Sequence, residues 1–84
     1  MARVLVTGGA GFIGSAVIRH ILGESSFEGT ILNLDKLTYA ANLRALQTAA
    51  EDPRYRFEQE DIVDWPAMQQ VFRGFLPEIV IHLA

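Results

Sequence analysis

Hydrophobic residues along this 84-residue chain fall in blocks whose spacing switches repeatedly between the period of a strand and that of a helix. Arg3-Val4-Leu5-Val6-Thr7 is a short apolar run of strand length. Over residues 12–22, Ile13, Val17 and Ile21 share one helical stripe, Ile18 and Leu22 flank it, and Gly23 is the expected stop. The polar connection Glu24-Ser25-Ser26-Phe27-Glu28-Gly29 leads into a second strand, Thr30-Ile31-Leu32-Asn33-Leu34. Asn42 can cap a short helix reaching Ala50, with Leu43 and Leu46 one turn apart and Asp52-Pro53 beyond its end. Tyr55-Arg56-Phe57-Glu58-Gln59 alternates as a third strand. Asp64 is a candidate N-cap, Pro66 fits a first turn, and Met68, Val71, Phe72 and Phe75 form the apolar face of a third helix. Pro77 ends that stretch, and Ile79-Val80-Ile81-His82-Leu83 reads as a fourth strand, unbroken in hydrophobicity as strands buried on both faces are.

Strands alternating with helices predict an α/β fold with a parallel sheet and right-handed crossovers, in the strand order 3-2-1-4. That is the N-terminal half of a Rossmann-type doubly wound sheet, β-α-β-α-β-α-β. No repeat, low-complexity tract or internal linker interrupts residues 1–84, so they read as one unit. Ala84 follows a strand that a complete domain would cover with a helix and further strands, which marks the sequence as part of a longer chain.

Composition narrows the partners. A net charge of −3 makes a nucleic-acid surface improbable, and no basic block offers an anchor to an anionic membrane. Without cysteine the chain has neither disulfides nor thiolate metal sites, and no metal site is expected. Its apolar runs are far shorter than the ~18 residues that span a bilayer. A soluble, cytoplasmic protein is the expectation.

The chemistry is concentrated in Gly8-Gly9-Ala10-Gly11-Phe12-Ile13-Gly14, which leaves the first strand and opens the first helix. In that position Gly8 can make the tight turn, Gly11 can let backbone approach a pyrophosphate, and Gly14 can let the helix sit close on the sheet. Phosphates would lie against the helix N-terminus, where unpaired N–H groups and the helix dipole favour negative charge. Glycines that merely loosen a loop would not need this strand–turn–helix context. A P-loop is the other competitor, but no lysine stands between Gly14 and Ser15. The fingerprint's second part is an acidic residue about 20 positions on. Asp35 closes the second strand and can accept from both hydroxyls of an adenosine ribose, the duller alternative being a solvated aspartate after a strand. Its carboxylate argues for NAD over NADP, because a 2′-phosphate about 4 Å away would be repelled by roughly 4 kcal/mol at an effective dielectric near 20. Lys36, the only lysine, works against that inference, since its ammonium could partly neutralise a phosphate.

Thr7-Gly8-Gly9-Ala10-Gly11-Phe12-Ile13-Gly14-Ser15 resembles the opening of the extended short-chain dehydrogenases/reductases, which work on nucleotide sugars. Asn33-Leu34-Asp35-Lys36-Leu37-Thr38-Tyr39-Ala40 resembles more narrowly the dTDP-glucose 4,6-dehydratases, although Ala41-Asn42-Leu43 stands where they have Gly-Asn-Leu. Phe57-Glu58-Gln59-Glu60-Asp61-Ile62 and Val80-Ile81-His82-Leu83-Ala84 are similar to that family's adenine-side and fourth-strand motifs, so the resemblance runs the whole length. It implies NAD as cofactor, with Phe12 and Ile13 presenting backbone to the pyrophosphate and Asp35, Lys36, Leu37 and Thr38 wrapping the ribose. It further implies that Asp61 accepts from the adenine amino group, that Ile62 packs on the ring, and that Leu83 and Ala84 border the cofactor. Asp61 could instead be a loop residue satisfying backbone amides, and Ile62 and Leu83 could be core. His82 is better read as packed and hydrogen-bonded than as a base, and His20 as surface.

The superfamily's catalytic Tyr-x-x-x-Lys pair is absent, because Leu43 follows Tyr39 and Gln59 follows Tyr55 at that spacing. No catalytic residue is therefore assigned. The resemblance implies a larger enzyme, a homo-oligomer (a dimer) formed through parts not present here. It would oxidise the hexose C4 hydroxyl of a nucleotide sugar with NAD, eliminate water across C5 and C6, and return the hydride to C6. Residues 1–84 would supply the nucleotide half of the cofactor pocket and be inactive alone. A nucleotide-sugar 4-epimerase and a nucleotide-binding module without chemistry are the alternatives.

Overall fold

The structure, a computed structural model, describes residues 2–24, 26–37 and 43–84, and the side chains of all of these but 43–46. The expected alternation is present as β1 (Ala2–Thr7), α1 (Phe12–Gly23), β2 (Gly29–Asp35), α2 (Leu43–Ala50), β3 (Tyr55–Gln59), α3 (Trp65–Phe75) and β4 (Ile79–His82). The strands form one parallel sheet in the order β3-β2-β1-β4, the N-terminal half of a Rossmann-type fold. The proposed Asn42 cap and the Leu43 and Leu46 side chains lie outside the described residues.

Side-chain alternation along the central strands builds a core on each face. Val4, Val6 and Ile31 pack with Ile18 of α1 and Ala49 of α2 on one face. Leu5, Leu32 and Leu34 pack with Val71 and Phe75 of α3 on the other. Helices on opposite faces are what make the sheet doubly wound, and the break in strand order falls between β1 and β4. In open α/β sheets that break, at the carboxyl ends of the strands, is where a crevice opens.

The element ends follow from local chemistry. Asp64 caps α3, its Oδ1 accepting from the Ala67 N–H at 3.2 Å, and Pro66 sits in the first turn as expected. Leu76 closes α3 in the left-handed region at φ 53°, and its N–H donates to Phe72 O at 3.0 Å. Behind the sheet's opposite end, Arg54 ties three segments together. Its guanidinium pairs with Asp52 at 2.7 Å and donates to Leu22 O at 2.7 Å and Phe27 O at 2.9 Å.

Four expectations need correction. Gly23 is the last residue of α1 and not its stop; Glu24, in extended conformation, caps the helix through its own N–H to Ile21 O. The stripe that α1 buries is centred on Gly14, Ser15 and Ile18, whereas Ile13 is 66% exposed. Phe72 is exposed, because Val71 and Phe75 take the sheet-facing side of α3. The fourth strand ends at His82, one residue short of the run read from the sequence, and stands at the sheet's edge among the described residues, with Ile79 and Val80 about half exposed.

Candidate functional site: the crevice between the first and fourth strands

The turn after β1 is built from glycines that cannot be replaced cheaply. Gly8 has φ +75°, in the left-handed region that disfavours a side chain, and a Cβ there would come within 2.7 Å of Leu83 and Ala84 backbone atoms. Its N–H donates to Leu34 O at 3.0 Å, and the Gly11 N–H returns to Gly8 O at 3.2 Å, closing the turn. Gly14 lies against the same turn. A Cβ on it would collide with Gly8 O and lie 2.7 Å from Gly9 Cα, so α1 reaches this close to the sheet only because Gly14 has none.

Gly11 is the N-cap of α1 and brings no side chain to the helix end, and no acidic residue stands in the first turn. The Ser15 N–H donates to Gly11 O at 2.9 Å, so the Phe12, Ile13 and Gly14 amides precede every acceptor within the helix. An uncapped N-terminus of this kind presents donors and a positive dipole end to an anion. It borders a cavity of about 340 Å³ between Gly11, Phe12, Ile13 and Gly14 on one side and Leu83 and Ala84 on the other. Phe12 is 84% exposed there.

A second cavity, of about 240 Å³, shares Gly8 and Ala84 with the first and runs over the end of β2 to Asp35, Lys36, Asp61 and Ile62. Asp35 is buried, and its carboxylate organises the floor. Oδ2 accepts from the Ala10 N–H at 2.9 Å and Oδ1 from the Leu37 N–H at 2.8 Å. Leu37 adopts φ 61°, an uncommon conformation for a leucine, and this turns the chain so that its amide meets the carboxylate. Asp61 accepts from the Val63 N–H at 3.0 Å and pairs with the Lys36 ammonium at 3.1 Å. The Val63 amide first, and the Lys36 ammonium second, hold the Asp61 carboxyl below the usual carboxylate range.

The structure thus brings Gly8, Gly11, Phe12, Ile13, Gly14, Asp35, Lys36, Asp61, Ile62, Leu83 and Ala84 to two adjoining cavities. Leu37 lies behind them, packed against the core on the α1 face, and Thr38 is outside the described residues. Ile62 and Leu83 are each about 40% exposed. His82 meets Thr7, Nδ1 to Oγ1 at 2.6 Å, and His20 is exposed. The sequence reading does not single out three contributors, of which Leu34 lines the second cavity from the end of β2. Ala10 acts through its backbone N–H, for which the sequence carries no signal, whereas Glu60, on the wall of the second cavity, was signalled by its place beside Asp61. Among the described residues no group of three or more His, Cys, Asp or Glu could hold a metal ion, and no helix is long and apolar enough to cross a membrane.

A doubly wound sheet with a glycine turn, an uncapped helix and a buried carboxylate meeting at its switch point defines an α/β unit of the nucleotide-binding type. The chain belongs to the GDP-mannose 4,6 dehydratase family, whose sequence model matches residues 5–84. It is 52% identical to the dTDP-glucose 4,6-dehydratase of Neisseria meningitidis serogroup B over 84 residues, which is 100% of this chain and 23% of that protein. The crystal structure of a dTDP-glucose 4,6-dehydratase from Bacillus anthracis in complex with NAD superposes with a TM-score of 0.91 at 32% identity, covering 100% of this chain and 27% of that one. A UDP-Glc/GlcNAc 4-epimerase from Campylobacter jejuni superposes with a TM-score of 0.85 at 26% identity, over 100% of this chain and 24% of that one. The chain therefore spans about a quarter of the length of these relatives.

Proposed function

We propose that residues 1–84 form the N-terminal, NAD-binding part of a dTDP-glucose 4,6-dehydratase, a lyase that converts dTDP-glucose to dTDP-4-keto-6-deoxyglucose. The observation that carries this reading is the crevice itself. The uncapped N-terminus of α1 and Asp35 line adjoining cavities that share Gly8 and Ala84, and the strand-end turn between them has no room for a Cβ at Gly8 or Gly14. A dinucleotide needs those features in that order: donors for its pyrophosphate, a carboxylate for its ribose hydroxyls, and close backbone approach between the two. Asp61 and Ile62 would then receive the adenine, and Leu83 and Ala84 would border the cofactor from β4.

Bound NAD would supply the oxidising and reducing capacity for a C4 oxidation, water elimination across C5 and C6, and return of the hydride to C6. The residues present here bind and orient it. Tyr55 takes no part in catalysis in this reading: its hydroxyl accepts from Asn33 Nδ2 at 3.0 Å under the sheet, and burial pushes its pKa up. The acid/base machinery and the nucleotide-sugar site are assigned to the rest of the protein, which is soluble and cytoplasmic in this reading and assembles as a dimer. The 4-epimerase alternative shares the turn and the fold; what favours the dehydratase is 52% identity over the whole chain, against 26% to the structurally similar 4-epimerase.

Gly11→Val is the direct test. The added side chain would stand at the N-cap, where the pyrophosphate needs backbone. In the intact protein, a titration should show NAD binding lost while circular dichroism is unchanged, and residues 1–84 alone should release no water from dTDP-glucose. Retained affinity at unaltered fold would place the phosphates elsewhere.

A further inference from the structure

Two segments meet at the mouth of the ribose-side cavity, and a backbone bond sets them opposite each other. The Glu60 N–H donates to Asp35 O at 3.2 Å, so the next residue on each segment, Asp61 and Lys36, faces the other across the opening. Their side chains close the gap as an ion pair, Nζ to Oδ2 at 3.1 Å. Asp61 comes to this contact already oriented, because its other oxygen is held by the Val63 N–H at 3.0 Å. Lys36 is in turn steadied through its carbonyl, which accepts from Gln59 Nε2 at 3.4 Å.

Charge on this wall is unequal. Asp35, Glu60 and Asp61 bring three carboxylates to the cavity and Lys36 brings one ammonium, the only lysine in the chain. That ammonium directly follows Asp35, so it is the group on this wall best placed to receive a phosphate on the ribose 2′ position. Engaged by Asp61, it is drawn toward the β3–α3 turn and its charge is spent there. The NAD preference argued from Asp35 therefore has a second requirement: the neighbouring cation must be kept occupied.

We propose that Asp61 is a specificity-determining positioning residue, which holds the Lys36 ammonium away from a 2′-phosphate and so reinforces the preference for NAD over NADP. This rests on the reading that the crevice binds NAD. Asp61 also stands where the adenine amino group is expected, but that contact is common to both cofactors and cancels when their affinities are compared as a ratio.

The experiment is a double-mutant cycle on the intact protein, with dissociation constants for NAD and NADP measured calorimetrically at low and at physiological salt. The Asp61 side chain is about a third exposed and asparagine is nearly isosteric, so Asp61→Asn leaves the fold in place. Asp61→Asn should narrow the NAD-to-NADP gap about tenfold, less at higher salt, as expected for partly exposed charges near a phosphate. Asp61→Glu, which can still reach the lysine, should restore most of the gap. Lys36→Gln alone should change the ratio less than about twofold, because the ammonium is already neutralised. In the Asp61→Asn background, Lys36→Gln should remove most of the narrowing. An unmoved ratio in Asp61→Asn, or a narrowing that persists in full without Lys36, would overturn the proposal while leaving NAD binding intact. A wild-type protein that binds neither cofactor would overturn the underlying reading and the proposal together.

Discussion

Gly14→Ala is expected to lower the affinity for NAD by about a hundredfold and to destabilise the protein by about 1–3 kcal/mol. A single methyl suffices because the space it would enter is already filled by backbone: the new Cβ would collide with Gly8 O and lie 2.7 Å from Gly9 Cα. Neither atom belongs to a side chain that could swing aside, so α1 must lift from the sheet or the turn must open. Either movement displaces the Phe12 and Ile13 amides from the anion, and charge-assisted hydrogen bonds contribute roughly 1.5–3 kcal/mol each. Losing one or two accounts for about a hundredfold in affinity. Calorimetric NAD titration together with urea denaturation would measure both effects, and a Gly14→Ala protein with wild-type affinity would show that the close packing of α1 is irrelevant to binding.

Asp35→Ala acts by two routes. The buried carboxylate accepts from the Ala10 and Leu37 amides, and Ala10 itself is fully buried, so truncation leaves donors without their acceptor. Unsatisfied buried groups cost about 1–3 kcal/mol, which sets the expected loss of stability. The ribose hydroxyls lose their acceptor as well, and the 2′-phosphate of NADP loses its repulsion. NAD should bind about ten- to a hundredfold more weakly, and the gap to NADP should narrow. Asp35→Asn, which keeps one acceptor oxygen, should be milder in stability and similar in cofactor choice. Affinities for both cofactors unchanged in Asp35→Ala would remove Asp35 from the site.

The architecture was legible because the hydrophobic period switches cleanly. The glycine at a left-handed φ, the Asp64 cap and the acid at the end of β2 stand where turn, cap and fingerprint chemistry require them. Packing was harder to read. Periodicity weights large apolar residues, so it put Ile13 on the buried stripe of α1; the sheet admits instead Gly14 and Ser15, small residues with low hydrophobic weight that permit close approach. Contacts that depend on register could not be read at all. The pairing of Lys36 with Asp61 spans 25 positions and exists because β3 lies beside β2 with Asp35 opposite Gln59. The Ala10 amide reaches the Asp35 carboxylate at the end of β2 from the turn after β1, and the Ala10 side chain, the part the sequence displays, takes no part in the contact.

A crystal structure of the intact protein grown with NAD would show whether the break between β1 and β4 holds the cofactor with its adenosine over β2. The pyrophosphate should lie against the Phe12 and Ile13 amides, the adenosine ribose on Asp35 and the adenine beside Asp61 and Ile62, with the nicotinamide leaving past Leu83 and Ala84. A dinucleotide bound in the reverse direction, or one bound away from the glycine turn, would contradict this placement.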